Sequence, residues 1–557
     1  SEWHTTSHHT ERCPRGSLTT NESPMVGLFT AHTSTTSTSK RRKLQHLATV
    51  TATTTVAALS LFLGGCSAGH TAVQTGRVAS DDSAVIALTA APATLDFTKS
   101  GGAAIPQALI GNVYEGLVRI SSQGDIEPQL ATSWDLSPDR TTYTFHLRKG
   151  VHFSNGDEFT ADTAKFSIDR VKSDAWTNGL KSGMKPVTRT QAVDKYTLAV
   201  TLSAPSNGWL WSMGTLIGAQ MTPRGVDNLA TKPVGTGPFT VDEYKVGRFL
   251  TLTANKSYWG QQPATRHVAL RYMTDSTATA NALRSGDVDA IVGMDAPEMV
   301  SSFRDNTRYA VDVGTTTGKV LLTMNNKRAP FNDVRVRRAV MYAINRQAVI
   351  DTAWGGFGED TGGVPAPPTD PWSYHSTEYP YDPDRARQLL DEAGVHDVDI
   401  TFTVPARAYA TNAAELIISE LEDVGIHAHI ESQEFPAVWL SQTLTQHDYD
   451  MSIIEHAEAR DIPTLFGNPD YYLGYDDEQT RTLLSAADSA PPDEYAPLMR
   501  KAVDRIMNQA GANTIFIYPN IVVRDKDLTG IPTTIAGQGL ELAGITRTHH
   551  STARSES

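Results

Sequence analysis

The sequence of 557 residues predicts a mixed α/β fold, and two kinds of pattern support this prediction. Apolar and polar residues alternate in residues 142–153 and 196–202, as expected of strands with one buried face. Residues 412–424 carry apolar side chains at helical spacing and lead through Gly425 into an apolar strand at 426–430. A helix that runs through a glycine into a strand indicates an α/β unit with a parallel pair of strands.

The individual elements follow from side-chain spacing. The buried faces of the first two strands are expected to hold Tyr143, Phe145, Leu147, Tyr196, Leu198, Val200 and Leu202. A helix is predicted after Asp333, because an aspartate side chain accepts a hydrogen bond from the first turn of a helix. The apolar residues that follow it recur at the helical period: Val336, Ala339, Val340, Ala343 and Ile344.

Composition and charge exclude several classes of protein. Hydrophobic residues make up 39% and charged residues 20% of the chain, which is typical of globular proteins and not of disordered or collagen-like ones. The formal charge of −14 opposes binding to nucleic acid, because proteins that bind nucleic acid carry a basic surface. Two cysteines, Cys13 and Cys66, are too few for a disulfide-rich scaffold or a cysteine-rich metal site.

An export signal is predicted before Cys66. A basic cluster at residues 40–43 precedes an apolar stretch at 56–63 and two glycines, which is the order of zones in a secretory signal peptide. The apolar stretch is too short for a convincing transmembrane helix. The motif LGGC at 63–66 resembles the lipobox of bacterial lipoproteins, which implies acylation of Cys66 and attachment to the membrane.

The predicted processing divides the N-terminal part of the chain in two. Residues 1–65 would comprise the signal peptide and the segment upstream of it. Residues 66–82 would provide the lipid anchor and a tether of small polar residues. The mature protein is therefore expected on the extracytoplasmic side of the cell membrane.

Several short motifs occur in an order that resembles one protein family. They are NVYEGL at 112–117, PQLATSW at 128–134, YTFHLRKGVHFSNG at 143–156, FTAD at 159–162, GTGPF at 235–239, NKSYWG at 255–260 and APFNDVRVR at 329–337. Together they resemble the extracytoplasmic solute-binding proteins of peptide and nickel ABC transporters, known as family 5 or cluster C. The resemblance runs from about residue 85 to residue 531.

This resemblance implies an α/β fold of the periplasmic-binding-protein-like type II, with two lobes, a hinge and an enlarged first lobe. Lobe I would comprise residues 83–315, including an extra subdomain, and lobe II residues 316–518. A return segment at 519–548 would rejoin lobe I, with crossings near 314–321 and 515–521. Closure of two lobes about a hinge is an established way for such proteins to bind a ligand.

Arg407 is the first candidate for contact with a ligand. In family members that carry peptides, an arginine and an acidic residue of lobe II pair with the charged ends of the ligand. The segment PARAY at 405–409 resembles the one that supplies the arginine, which implies that Arg407 binds a carboxylate with Tyr409 beside it. A guanidinium can form two parallel hydrogen bonds to a carboxylate. The alternative is that Arg407 caps a helix or is solvated in a loop.

The acidic partner is expected in residues 455–461. Peptide binders of this type often have a tryptophan and two aspartates three residues apart, whereas here Glu458 and Asp461 keep the spacing and the tryptophan is absent. This departure argues against a plain dipeptide as the ligand. The residues expected to contact the ligand in this region are Glu455, His456, Glu458, Asp461 and Tyr471, with Tyr472 and Tyr475 nearby. Ordinary packing is the alternative for the tyrosines.

The same region offers nitrogen and oxygen donors for a divalent transition metal. The donors would come from His427, His429, His447, Asp448, Glu455, His456, Glu458 and Asp461. Family relatives that carry nickel make a metal or metal-chelate receptor the second hypothesis. The spacing matches no known metal motif, however, and solvated histidines are a common alternative.

No motif for catalysis stands out. The chain lacks a nucleophile elbow, a zinc-protease helix and a phosphate-binding loop, so a lipoprotein hydrolase is the least favoured hypothesis. The sequence therefore predicts a monomeric, lipid-anchored receptor that needs no cofactor. It would capture a short peptide and deliver it to an ABC permease and its ATPase.

Overall fold

The computed structural model describes residues 82–548 of the chain. The strands are β1 (Ser83–Leu88), β2 (Val118–Ile120), β3 (Ile126–Pro128), β4 (Ala131–Leu136), β5 (Thr142–Leu147), β6 (Val187–Asp194), β7 (Thr197–Leu202), β8 (Phe239–Lys245), β9 (Phe249–Ala254), β10 (His267–Tyr272), β11 (Ala290–Val292), β12 (Tyr309–Met324), β13 (Val398–Pro405), β14 (Ile426–Gln433), β15 (Met451–His456), β16 (Asn513–Asp525), β17 (Leu528–Thr529) and β18 (Thr546–Arg547).

The helices occupy the connections between the strands. They are α1 (Ala104–Leu109), α2 (Ala161–Lys172), α3 (Asn207–Ser212), α4 (Ser276–Ser285), α5 (Val300–Arg304), α6 (Val334–Ala343), α7 (Arg346–Trp354), α8 (Pro383–Ala393), α9 (Ala408–Glu422), α10 (Ala437–Trp439), α11 (Ile462–Phe466), α12 (Glu478–Ser489) and α13 (Pro492–Asn508). None of the helices in residues 82–548 is long and apolar enough to cross a membrane.

Ten strands form one continuous sheet in the order β14-β13-β15-β12-β16-β11-β1-β10-β9-β8. The two longest strands are neighbours near the middle of this sheet: β12 has 16 residues and β16 has 13, and they pair antiparallel. We use lobe I for the part of the chain on the β11 side of this pair and lobe II for the part on the β15 side. The central pair therefore connects the two lobes through backbone hydrogen bonds.

Lobe I carries a second sheet, in which four strands pair in the order β4-β5-β7-β6. Its buried side chains join the lobe I core, where Phe145 packs with Trp209 and Tyr143. In lobe II, the two faces of the sheet belong to different cores. Val320 lies in the core on the α9 face, and Leu321 lies in the core on the α13 face.

The elements predicted from side-chain spacing are present. Tyr143, Phe145 and Leu147 are buried on β5, although this strand ends at Leu147 because the chain turns at Gly150, whose φ is +75°. Helix α6 begins after Asp333, whose carboxylate accepts a hydrogen bond from the Arg335 N–H at 2.8 Å. The predicted parallel pair is formed by β13 and β14.

Candidate functional site

Arg407 lies at the junction of β13 and α9. It is the residue immediately before α9, yet its side chain makes no capping hydrogen bond, so the capping alternative does not account for the guanidinium. The side chain is exposed, with its guanidinium carbon 5.0 Å from the centre of the Phe435 ring. No ion pair joins Arg407 to a carboxylate within residues 82–548. The cation is therefore available to a ligand.

Tyr409 and Glu455 lie beside Arg407. The Tyr409 hydroxyl accepts a hydrogen bond from the Glu455 backbone N–H at 3.0 Å, which ties the start of α9 to β15. The Tyr409 ring meets the Tyr518 ring edge to face at 5.8 Å, so the connecting strand β16 contributes one wall. We call Arg407, Tyr409, Glu455 and Tyr518 the Arg407 cluster.

The Glu455 carboxylate occupies the space above a glycine of β12. A Cβ atom at Gly318 would overlap Glu455 Oε1, so this position of the carboxylate requires a residue without a side chain. Burial raises the pKa of Glu455 to about 7, while the nearby charges of Lys319 and Arg407 act to lower it. The carboxyl group is thus poised to ionise when a cation approaches.

Lys319 is a buried cation that the sequence analysis did not identify. It lies opposite His456 in the antiparallel register of β12 and β15, so both side chains lie on the same face of the sheet. Its ammonium group donates to the carbonyl oxygens of Thr317 and Glu458, each at 2.9 Å, and pairs with Asp461 Oδ1 at 3.0 Å. These partners account for all three of its N–H donors.

Two carboxyl groups near Lys319 are strongly desolvated. Burial raises the pKa of Asp461 to about 6, against the lowering effect of Lys319, and Asp461 Oδ2 has no hydrogen-bond partner within the described residues. Burial also raises the pKa of Asp370 to about 7, although the charges of Lys319 and Arg460 act to lower it. Asp461 thus pairs with a protein cation through one carboxylate oxygen and leaves the other oxygen without a partner in the described residues.

His456 is a neutral core residue. Its Nε2 atom lies 2.7 Å from the Tyr472 hydroxyl, and burial together with the charge of Lys319 lowers its pKa to about 3. The donor atoms of His456, Glu458 and Asp461 lie within 4.8 Å of one another. We call these three residues and Lys319 the Lys319 cluster.

The two clusters lie on opposite faces of the sheet. Glu455 and His456 are consecutive residues of β15, and consecutive side chains of a strand point to opposite sides. Their closeness in the chain predicted that residues 455–461 form one group. The structure places Glu455 beside Arg407 and Tyr409, and separates it from His456, Glu458 and Asp461.

The prediction that all eight of the candidate donor residues could supply donors to one metal site is wrong. His427 and His429 lie on the edge strand β14, which β13 separates from β15. They pair instead with Glu422 at 2.8 Å and Asp399 at 2.9 Å. His447 and Asp448 precede β15, at the end of the strand opposite His456, and Asp448 pairs with Arg328 at 3.2 Å.

The tyrosines after β15 pack mainly in the core of lobe II. Tyr472 and Tyr475 are fully buried, and Tyr475 shares a hydrogen bond of 2.8 Å with Thr480. Tyr471 is half-buried, with its ring centre 5.1 Å from that of Tyr472. Of the three, only Tyr471 retains surface for a contact with a ligand.

A cavity of about 460 Å³ lies in lobe I. Its wall includes Glu115, Arg119, Ser121, Gln129, Thr215 and Glu541, together with residues 530–537. The Ile535 N–H donates to the Thr315 carbonyl oxygen of β12 at 3.1 Å, so the wall of the cavity touches a strand that connects the lobes. Ala459 of lobe II packs against Ile120 and Ala536 beside it.

Glu115 anchors several of the motifs noted in the sequence. Its carboxylate accepts hydrogen bonds from Thr236 at 2.7 Å, Trp259 at 2.8 Å and Tyr258 at 2.9 Å. Burial raises its pKa to about 7, and these three donors act to lower it. Glu115 of NVYEGL thus joins the segments GTGPF and NKSYWG in space.

Comparisons with known proteins agree with this architecture. Heme-binding protein A of Haemophilus influenzae is 31% identical over 432 residues, which cover 69% of this chain and 77% of that protein. The nickel-binding periplasmic protein of Escherichia coli is 26% identical over 354 residues, covering 59% and 67%. The ABC transporter-associated periplasmic binding protein DppA of Helicobacter pylori, solved with the peptide STSA, is 26% identical with a TM-score of 0.72 and covers 84% and 98%.

These likenesses confirm the predicted fold class, the periplasmic-binding-protein-like type II fold with two lobes. The family described as bacterial extracellular solute-binding proteins, family 5, matches residues 125–476. Its members bind solutes for ABC importers and are not enzymes. The chain belongs to the bacterial extracellular solute-binding proteins of family 5.

Proposed function

We propose that this protein captures short peptides for an ABC importer and is held at the membrane by a lipid on Cys66. The observation that carries the peptide assignment is the Arg407 cluster: an exposed, unpaired guanidinium beside a carboxyl group at the strands that connect the lobes. A peptide carries a carboxylate at one end and an ammonium group at the other. The cluster offers a group of opposite charge to each.

Arg407 is suited to bind a carboxylate. Its planar guanidinium can donate two parallel hydrogen bonds, and such charge-assisted bonds are about twice as strong as neutral ones. Closure of the lobes would exclude water and strengthen the interaction further. The Phe435 ring beneath the guanidinium limits the orientations open to the side chain.

Glu455 is suited to bind the cationic group. At a pKa of about 7 the carboxyl is only partly ionised near neutral pH, and an ammonium group nearby would favour the ionised form. A ligand that carries only a negative charge would be attracted by Arg407 but repelled by an ionised Glu455. The pair therefore favours a ligand with both charges.

The relatives support a peptide but also show how widely ligands vary within the family. The Helicobacter pylori protein was solved with the peptide STSA, whereas two other relatives are named for heme and nickel. Because the relatives differ in this way, the ligand class has to be inferred from the side chains of this chain. An unpaired arginine beside a protonatable carboxyl favours the peptide.

Calorimetry with matched peptides tests the assignment. Arg407→Ala is expected to weaken binding of a peptide with a free C-terminus by about 1.5 to 3 kcal/mol, the contribution of a hydrogen bond to a charged group. Amidation of the peptide should weaken binding to the unaltered protein by a similar amount and leave the variant unaffected. Arg385→Ala, an exposed arginine of α8 that pairs with Glu392, is the matched control. Equal losses on amidation in both proteins would reject Arg407 as the carboxylate ligand.

A metal or metal chelate is the second candidate, and the closeness of His456, Glu458 and Asp461 is the observation that favours it. The Lys319 ammonium group, which already pairs with Asp461, opposes it because two cations would compete for one carboxylate. Metal analysis of the purified protein and of His456→Ala tests this candidate. Stoichiometric nickel that the substitution removes would replace the peptide assignment.

The membrane anchor rests on the sequence alone, since Cys66 lies outside the described residues. More than one acyl chain on this cysteine would attach the protein stably to the extracytoplasmic face of the membrane, close to the permease and its ATPase. Mass spectrometry of the mature N-terminus tests the modification. Cys66→Ala is expected to move the protein from the membrane fraction to the medium or periplasm.

A further inference from the structure

Helix α3 of lobe I meets lobe II at its first turn. The Asp488 carboxylate, near the end of α12, accepts one hydrogen bond from the Ser206 hydroxyl, whose Oγ lies 2.9 and 3.0 Å from the two carboxylate oxygens. It also accepts one from the Gly208 backbone N–H at 2.8 Å. Ser206 is the residue that caps α3, so a side chain of lobe II completes the start of a lobe I helix.

Lobe I completes the end of α12 in return. Asn207 Nδ2 donates to the carbonyl oxygens of Ala487 at 3.0 Å and Ala490 at 2.9 Å. Arg140 Nη2 donates to the Ser489 carbonyl oxygen at 2.8 Å. The last carbonyl groups of a helix have no partners within the helix. Each lobe therefore satisfies open hydrogen-bonding groups of the other.

The other end of α3 also contacts lobe II. The guanidinium carbon of Arg460 lies 3.7 Å from the centre of the Trp211 ring and 5.1 Å from that of Trp372. Arg460 Nη2 donates to the Gly124 carbonyl oxygen of lobe I at 3.0 Å. Arginine stacking on a tryptophan ring is attractive, more so where water is excluded.

These contacts form a polar boundary between two separate apolar cores. Trp209 of α3 belongs to the core of lobe I, whereas Leu484 and Ala487 of α12 belong to a core of lobe II. Separation of the lobes would expose hydrogen-bonding groups that water can satisfy, without opening either core. It would also part Ala459 of lobe II from the small apolar cluster of Ile120, Trp211 and Ala536 in lobe I. None of the contacts uses a residue of the Arg407 cluster.

We propose that α3, Asp488 and Arg460 form a latch that stabilises the closed arrangement of the lobes without the help of ligand. A protein can be closed for part of the time before ligand arrives. Its apparent affinity then rises with the fraction of molecules in this closed, binding-competent form. The latch would thus set how tightly the protein holds any ligand, whereas the Arg407 cluster would set which ligand it holds. The inference does not depend on the ligand being a peptide.

A distance measurement without ligand tests the latch. In the full chain, Cys13 and Cys66 are changed to serine, and spin labels are placed at two exposed positions, Val193→Cys in lobe I and Tyr381→Cys in lobe II. Double electron–electron resonance then reports the distribution of distances between the lobes. Asp488→Ala is expected to increase the population at longer distance by at least about tenfold, given the hydrogen bonds to a charged group that it removes.

Two further variants make the result decisive. Ser206→Ala removes the serine hydrogen bond to Asp488, together with the cap on the Trp209 N–H, and keeps the bond from Gly208 to Asp488. It is expected to give a smaller shift in the same direction, which tests the latch if Asp488→Ala fails to fold. Glu415→Ala removes an exposed carboxylate of α9 and is expected to leave the distribution unchanged. Distributions for Asp488→Ala and Ser206→Ala that match the unaltered protein, with both folded, would overturn the latch.

Discussion

Lys319 and Asp461 form an ion pair inside lobe II, with Nζ 3.0 Å from Oδ1 and side chains that are 0% and 8% exposed. The ammonium group also donates to two backbone carbonyl oxygens, one of which belongs to Glu458. The pair therefore fixes the segment that follows β15, close to where the lobes meet. It uses the carboxylate of Asp461 and the backbone of Glu458, whose own side chain is exposed.

We predict that breaking this pair is costly. Lys319→Met leaves Asp461 buried without a partner and is expected to lower the free energy of unfolding by about 3 to 5 kcal/mol, as found when one member of a buried pair is removed. Lys165→Met, which breaks the exposed pair with Asp169, is expected to cost less than about 1 kcal/mol. Denaturant unfolding measures both. Equal costs for the two variants would contradict the structural role of Lys319.

We predict a pH dependence of stability that comes from Asp370. Its pKa rises from an ordinary value near 4 to about 7 in the folded protein, so the unfolded chain releases its proton first. The contribution of Asp370 to the free energy of unfolding is therefore fully present at low pH and is lost as pH rises from about 4 to 7. Asp370→Asn, which mimics the protonated acid, is expected to remove this part of the decline in unfolding experiments between pH 5 and 7.

Asp477 provides a control of opposite sign. Hydrogen bonds from Arg505 lower its pKa to about 2, so its contribution is present above pH 4 and is lost as pH falls through about 2. Asp477→Asn is expected to reduce stability at neutral pH and to leave the decline between pH 5 and 7 intact. If Asp370→Asn also left that decline intact, the assignment of the pH dependence to Asp370 would fail.

We predict that Gly318→Ala changes ligand binding through Glu455, although the added Cβ atom would also lie 3.1 Å from Tyr518 Cβ. The added Cβ atom would displace the Glu455 carboxylate from its place beside Arg407. Calorimetry is expected to show weaker binding of a peptide with a free N-terminus and little change for the same peptide after acetylation. Gly179→Ala, where the added atom meets open space, is the matched control. An equal loss of affinity for both peptides would show that Glu455 does not bind the ammonium group.

We predict that Tyr409→Phe lowers the free energy of unfolding, because Tyr409 ties the start of α9 to β15. The substitution removes the acceptor of the Glu455 N–H, and a buried donor left without a partner costs about 1 to 3 kcal/mol. Denaturant unfolding is expected to show this loss. Tyr342→Phe, which removes a longer hydrogen bond to the exposed Glu378 carbonyl oxygen at 3.3 Å, should cost less. The reverse order of costs would count against the role of Tyr409.

Much of the fold could be predicted from local spacing. The alternation in β5 and the helical stripe after Asp333 identified real elements, because each depends on residues near one another in the chain. The order of strands was less accessible, since β12 and β16 pair across nearly two hundred residues. Only the resemblance to a family could suggest that both connect the lobes.

The site was predicted less well, for a reason visible in β15. Neighbours in sequence were treated as neighbours in space, whereas strand alternation places Glu455 and His456 on opposite faces. The burial of Lys319 could not be predicted from its position in an apolar strand, because a lysine is normally exposed. Only the pairing with Asp461, which is distant in sequence, compensates for the cost of burying its charge. The histidines of β14 were grouped with His456 by residue type alone.

Native mass spectrometry of the full protein, purified without refolding, tests the central claim most directly. If the protein captures short peptides, the spectra should contain bound species whose masses differ by amino-acid residues, and these species should be lost in Arg407→Ala but kept in Arg385→Ala. A single bound metal or chelate mass, unchanged by Arg407→Ala and removed by His456→Ala, would contradict it.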